Sequence, residues 1–123
     1  MSNQPDQDVV DVVETYVRGV TTADAPTVAS AFSDDAHMWG YLGDEYVSVP
    51  ISGFLEVVAT GPDPAEWIED YHHAIRDVEV SGDVARAVLD ETGYAGANFT
   101  NYFTLVRASE RWQIVSKTFM LTE

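Results

Sequence analysis

The chain has no cysteine in its 123 residues. Disulfides, thiolate catalysis and cysteine-based zinc sites are therefore excluded, and the composition fits a reducing compartment. Lysine is almost missing too. Six bases stand against 21 acids, for a formal charge of −15, and Lys117 is the single lysine among them. A chain this acidic is repelled by nucleic acid and by anionic membrane surfaces, so neither is expected as a partner. No apolar run approaches the roughly 18 residues of a membrane span. The start, MSNQPDQDVV, lacks the basic and apolar regions of a signal peptide, and a cytoplasmic protein is expected. The charge leaves two readings open: an acidic protein of an ordinary cell, or one adapted to high salt. Asn98-Phe99-Thr100 matches a glycosylation sequon and, without a secretion signal, is read as chance.

What is present is helices first and strands afterwards. Pro5, Asp6 and Asp8 open a helix, because carboxylates suit the positive end of its dipole. Val9, Val13, Tyr16, Val17 and Val20 then share one face at helical spacing. Asp24 is placed to cap a second short helix with Pro26 in its first turn and Val28, Ala31 and Phe32 as its buried face. Ser33-Asp34-Asp35 ends it. Ala36 to Leu42 and Glu45 to Val49 read as a hairpin around Gly43-Asp44. Ser52 is expected to cap a third helix carrying Phe54, Val57 and Val58, stopped by Gly61-Pro62. Asp63 to Trp67 reads as a turn into one helical turn. Strands follow at Ala74 to Val80, Val84 to Thr92, Asn98 to Arg107 and Arg111 to Met120. No repeat or linker interrupts the chain, and residues 1–123 read as one domain. This order predicts an α+β fold with helices on one face of an antiparallel sheet.

Several chemistries find no residues to carry them. His72 and His73 are adjacent, so in a strand they point to opposite faces. Neither an HxxxH nor an HxH pair is present, and a metal site is not expected. There is no glycine-rich phosphate loop and no serine elbow. No cofactor is expected.

Three segments, VVETYVRGVTTADAPTVASAF, SDDAHMWGYLGDEY and NYFTLVRASERWQIVSKTF, together resemble the nuclear transport factor 2-like superfamily. Steroid isomerases, polyketide cyclases and scytalone dehydratase share that fold. Within it the chain is most similar to the group labelled putative lumazine-binding, over about residues 8 to 120. The resemblance implies helices packed on a strongly curved antiparallel sheet forming a conical pocket, a cystatin-like α+β roll. It also implies a homodimer paired through the convex sheet face. In the isomerase pattern, Tyr16 falls where a first-helix tyrosine donates to the oxyanion, and Tyr102 where a second donor lies. Gly40 falls where the general base belongs, so that carboxylate is missing. The same register turns Lys117 and Phe119 into the cone, and Met38, Gly40 and Leu42 rather than His37, Trp39 and Tyr41. Apolar counting alone equally places Trp112 and Ile114 inside.

The expected pocket lining is Tyr16, Phe32, Met38, Phe54, Trp67, Tyr102 and Phe119, with Lys117 as its cation. A buried ammonium needs a partner, and Asp90 and Glu91 are the candidates. Few charges and many rings favour a planar, mostly apolar small-molecule ligand. The first reading is thus a binding protein or catalytically degenerate scaffold. The second is a cofactor-free acid–base enzyme of isomerase, dehydratase or cyclase type, with His37, Asp90 or Glu91 as base. The third is a dimeric interaction module with a filled core.

Overall fold

The computed structural model describes residues 5–122. Helix α1 spans Pro5–Thr21 and α2 Ala25–Ser30. Strand β1 (Phe32–Leu42) and β2 (Glu45–Pro50) form a hairpin, followed by α3 (Ile51–Thr60) and two 3₁₀ turns at Pro64–Glu66 and Ile68–Asp70. Four long strands complete the chain: β3 (His72–Ser81), β4 (Val84–Tyr94), β5 (Ala97–Ala108) and β6 (Arg111–Thr122). The sheet order is β2-β1-β6-β5-β4-β3. The sheet is curved and unclosed, and the helices pack on one face of it. It is antiparallel apart from the β1–β6 pair, which is parallel. That pair makes the sheet mixed, because the helices intervene between the first strand and its last neighbour.

Local chemistry sets the helices. Val9, Val13, Tyr16, Val17 and Val20 of α1 are all buried. The Asp24 carboxylate accepts from the Thr27 N–H at 3.2 Å, capping α2 and satisfying a free helix-end donor. A Cβ at Gly19 would stand 2.5 Å from Val28 Cγ2, so glycine lets α1 and α2 close on each other. Two expectations fail here. Ser52 makes no cap, since α3 starts one residue earlier at Ile51, after Pro50, with no side-chain cap bond. Phe32 is the first residue of β1, not the last of α2, because the Ala31 carbonyl accepts from the Ile114 N–H at 2.9 Å and draws the chain into the sheet.

Strand β6 carries an irregularity that decides which side chains meet the helices. Leu105 pairs with Ile114 and Thr104 with Ser116, leaving Val115 as an extra residue. Such a bulge resets the two-residue alternation and bends the strand. Trp112 and Ile114 before it, and Lys117 and Phe119 after it, are therefore all buried. Further register shifts fall between Phe32 and His37 and between Arg76 and Glu79.

The core joins the sheet's concave face to the helices. The Tyr16 ring is its hub, with ring centroids 5.2 Å from Phe103, 5.9 Å from Phe54 and 6.0 Å from Phe32. On the convex face, cross-strand pairing lays Ser48, Trp39, Thr118, Tyr102 and Val88 side by side. Tyr46, Tyr41 and Met120 form the next row. Trp39, Tyr41, Tyr46, Tyr102 and Met120 are exposed there.

Candidate functional site

Between α1, α3 and the concave sheet lies a cavity of about 270 Å³. Its walls are mostly apolar: Met38 and Leu42 from β1, Val47 and Val49 from β2, Phe54 and Val57 from α3, Phe99 from β5 and Phe119 from β6. Tyr16, Glu91, Tyr94, Asn101 and Lys117 supply its polar atoms.

Alternation along β4 brings Glu91 inward with Ala85, Ala87 and Leu89, and the side chain is 3% exposed. Its carboxylate is held on both oxygens. The Tyr71 hydroxyl donates to Oε2 at 2.8 Å and Asn101 Nδ2 donates to Oε1 at 2.9 Å. The same Asn101 amide also donates to the Leu89 carbonyl at 3.2 Å. Burial raises the Glu91 pKa above the usual carboxylate value, against the pull of the Tyr71 bond, the Lys117 charge and the Asn101 bond. Burial and the Glu91 charge together hold the Tyr16 and Tyr71 phenols well above their ordinary range. They bring Tyr94 to about 12.

Lys117 is buried on β6, two strands from β4 in the same sheet. None of the ion pairs among the described residues includes it. Its Nζ instead stands 4.4 Å from the ring centroids of both Phe54 and Phe119. Ring faces attract a cation, by about 2 kcal/mol where it is desolvated. Loss of hydration still dominates and lowers the amine's pKa to about 8, with the Glu91 charge acting the other way.

The expected site residues divide into three groups. Tyr16, Met38, Phe54, Lys117 and Phe119 line this cavity. Phe32 sits behind the Tyr16 ring in the core and Trp67 lines a neighbouring cavity of about 260 Å³, so neither forms a wall of the first. The two cavities share Val57, Tyr94 and Phe99. The Trp67 Nε1 is buried without a hydrogen-bond partner among the described residues. Tyr102 must be corrected: it is 54% exposed on the convex face. Asn101, Phe103 and Leu105 take the concave face of β5 instead.

Of the three proposed bases, the fold separates two from the cavity. Asp90 points to the other face, where it accepts from Arg76 Nε at 2.6 Å. His37 lies outside against Trp39 and bonds Ser48. Glu91 alone of the three reaches the cavity. Gly40 faces inward, but a Cβ there would stand 2.6 Å from the Phe119 ring. Phe119 thus fills the space a base at residue 40 would need. Asn101, Tyr94, Phe99 and the β2 valines were not anticipated as walls. The alternation Asn101-Phe103-Leu105 was the signal for the first. No cluster of three His, Asp or Glu side chains suited to a metal occurs among the described residues. No helix there is long and apolar enough to cross a membrane.

Comparison with known proteins agrees with this architecture. No curated protein matches the chain. A nuclear transport factor 2-like protein of unknown function from Shewanella baltica OS155 superposes with a TM-score of 0.90 at 26% identity, covering 100% of this chain and 98% of that one. A second of unknown function, from Silicibacter pomeroyi DSS-3, gives 0.86 at 28% identity over 99% and 100% of the chains. A ketosteroid isomerase-like protein from Erwinia carotovora atroseptica SCRI1043 gives 0.69 at 20% identity over 99% of each, which shows the shared fold. The model of the family described as "Putative lumazine-binding" matches residues 4–120, and the chain belongs to that family, on the nuclear transport factor 2-like fold.

Proposed function

We propose that the cavity binds a planar, mostly apolar small molecule with one polar edge. The observation that carries this reading is the wall itself: apolar side chains on most sides, with Glu91, Lys117, Asn101 and Tyr16 as a small polar set. Binding pockets combine apolar area with a few convergent polar groups in this way. The volume is somewhat under twice the roughly 150 Å³ that accommodates benzene, so a one- or two-ring compound fits. The two-ring heterocycle in the family's description falls in this size class. Lumazine and 2-naphthol, titrated while tryptophan fluorescence is followed, should each bind saturably. Filling the cavity by Val49→Trp should abolish that binding. Failure of every such probe to bind, or indifference to Val49→Trp, would overturn the reading.

Acid–base catalysis is the second reading, and the raised pKa of buried Glu91 beside the Tyr16 hydroxyl favours it. A general base works best with its pKa near the working pH. Glu91 would take a proton next to a carbonyl whose oxygen Tyr16 stabilises. Deuterium exchange into a planar ketone, followed by NMR, should then be lost in Glu91→Gln. Equal exchange in both proteins would remove Glu91 from that role.

The convex face is proposed as a homodimer surface. Its exposed Trp39, Tyr41, Tyr46 and Tyr102 form an aromatic patch of the kind that marks protein interfaces. Light scattering should give twice the chain mass, and Trp39→Glu with Tyr102→Glu should halve it. A wild-type monomer would exclude the dimer.

A further inference from the structure

The chain's single lysine is 4% exposed on the wall of an apolar cavity. Lysine is almost never fully buried unless paired, yet Lys117 has no ion-pair partner among the described residues. The other five bases are arginines, and Arg76, Arg86 and Arg107 meet carboxylates at the surface. A permanent cation in the cavity would be served by a guanidinium, which stays charged. An amine can shed its proton. With its pKa lowered to about 8, about half of Lys117 is neutral at pH 8, against about one part in 300 for an ordinary lysine. A desolvated, neutral amine is a nucleophile toward carbonyl carbon.

We propose that Lys117 is a covalent site, its Nζ forming an imine with an aldehyde or ketone on a planar ligand held in the cavity. This rests on the small-molecule reading above. The Nζ lone pair forms the N–C bond while the carbonyl π electrons move to oxygen. A proton passes from nitrogen to that oxygen, giving a carbinolamine. The Glu91 carboxylate then relays the remaining N–H proton to the hydroxyl, the C–O bond breaks and water leaves. The products are a neutral imine and the regenerated Glu91 carboxylate, so no oxidant or reductant is needed. Tyr16 donates to the carbonyl oxygen as charge builds there, and the faces of Phe54 and Phe119 accept the positive charge on nitrogen before its proton leaves. The titratable groups facing Lys117 are Glu91 and Tyr94 from β4 and Tyr16 from α1, with Tyr71 and His73 acting through Glu91. From α3, β1, β2 and β5 no titratable side chain reaches the wall.

The test uses the whole chain incubated at pH 8 with 6-methoxy-2-naphthaldehyde, quenched with sodium borohydride and mapped by peptide mass spectrometry. In parallel, 2-methoxynaphthalene, which has the same rings and no carbonyl, is titrated by tryptophan fluorescence. One reduced adduct is expected, on Lys117, forming about fiftyfold more slowly at pH 6, where the neutral fraction of an amine with a pKa of about 8 has fallen by that factor, and about tenfold more slowly in Glu91→Gln. Lys117→Arg, with circular dichroism as the check on folding, should give none. An adduct confined to the chain's α-amino group, or no adduct while the carbonyl-free probe binds, overturns the covalent site and leaves the binding reading standing. If neither compound binds, both fall.

Discussion

The Tyr71 hydroxyl donates a 2.8 Å hydrogen bond to Glu91 Oε2 from a position between the second 3₁₀ turn and β3. It secures a buried carboxylate from outside the cavity, since Tyr71 is not among the cavity's lining residues. Tyr71→Phe should therefore cost about 1–2 kcal/mol of stability, the usual penalty for an abandoned buried acceptor. The bond favours the ionised carboxylate, so its loss pushes the Glu91 pKa further up. The cost should grow as pH rises and the ionised form gains weight, and shrink as pH falls. Urea denaturation at pH 5 and pH 8 checks both the size and the trend.

Lys117 makes a pH signature of its own, in the same direction. Its folded-state pKa, about 8, lies below the ordinary 10.5. The folded state therefore prefers the neutral amine. The stability this contributes is fully present above 10.5 and is lost as pH falls through 8. Relative to Lys117→Met, the wild type should gain stability as pH rises across that window, by up to about 3 kcal/mol on the conversion of pKa shift to free energy. Thermal melts of the two proteins at matched pH measure the difference. A constant gap from pH 7 to 10.5 would mean that the amine is not desolvated.

Gly40→Asp should not install a working base. A Cβ at residue 40 meets the Phe119 ring at 2.6 Å and the Phe119 carbonyl closer still. Backbone cannot yield as a flexible side chain can. The variant should lose about 3 kcal/mol or more, at the upper end for overpacked sites, and show a lower urea midpoint. Retention of wild-type stability would mean that β1 and β6 separate more easily than their pairing implies.

The formal charge of −15 is opposed by few ion pairs among the described residues, and the arginine pairs all lie on exposed side chains, which contribute about 0–1 kcal/mol each. Self-repulsion should therefore weaken the fold at low ionic strength and salt should relieve it. The melting midpoint should rise between about 0.05 and 2 M KCl, a range over which screening shortens several-fold. A flat or falling midpoint would remove the high-salt reading.

The fold was legible where periodicity is strict. Val9, Val13, Tyr16, Val17 and Val20 mark the α1 face, and the inward set Met38, Gly40 and Leu42 follows from the family register. Strand β6 was ambiguous because both candidate sets are inside, and no alternation rule anticipates a bulge at Val115. Tyr102 went wrong for a different reason. A donor role carried over from the isomerases overrode the apolar alternation of Phe103 and Leu105. Glu91 and Asp90 are neighbours in sequence, so which one enters the cavity depends on strand parity. That parity is fixed by Leu89 and Ala87, both buried on the Glu91 side.

The bulge at Val115 also separates the cavity's contour from its contents. Without that residue, Lys117 would follow Ile114 at the two-residue spacing of a regular strand and still face the helices. The strand would straighten, and the sheet would lose one of the bends that lift it around α1 and α3. A one-residue deletion thus offers a way to reshape the chamber while keeping the same amine and rings inside it.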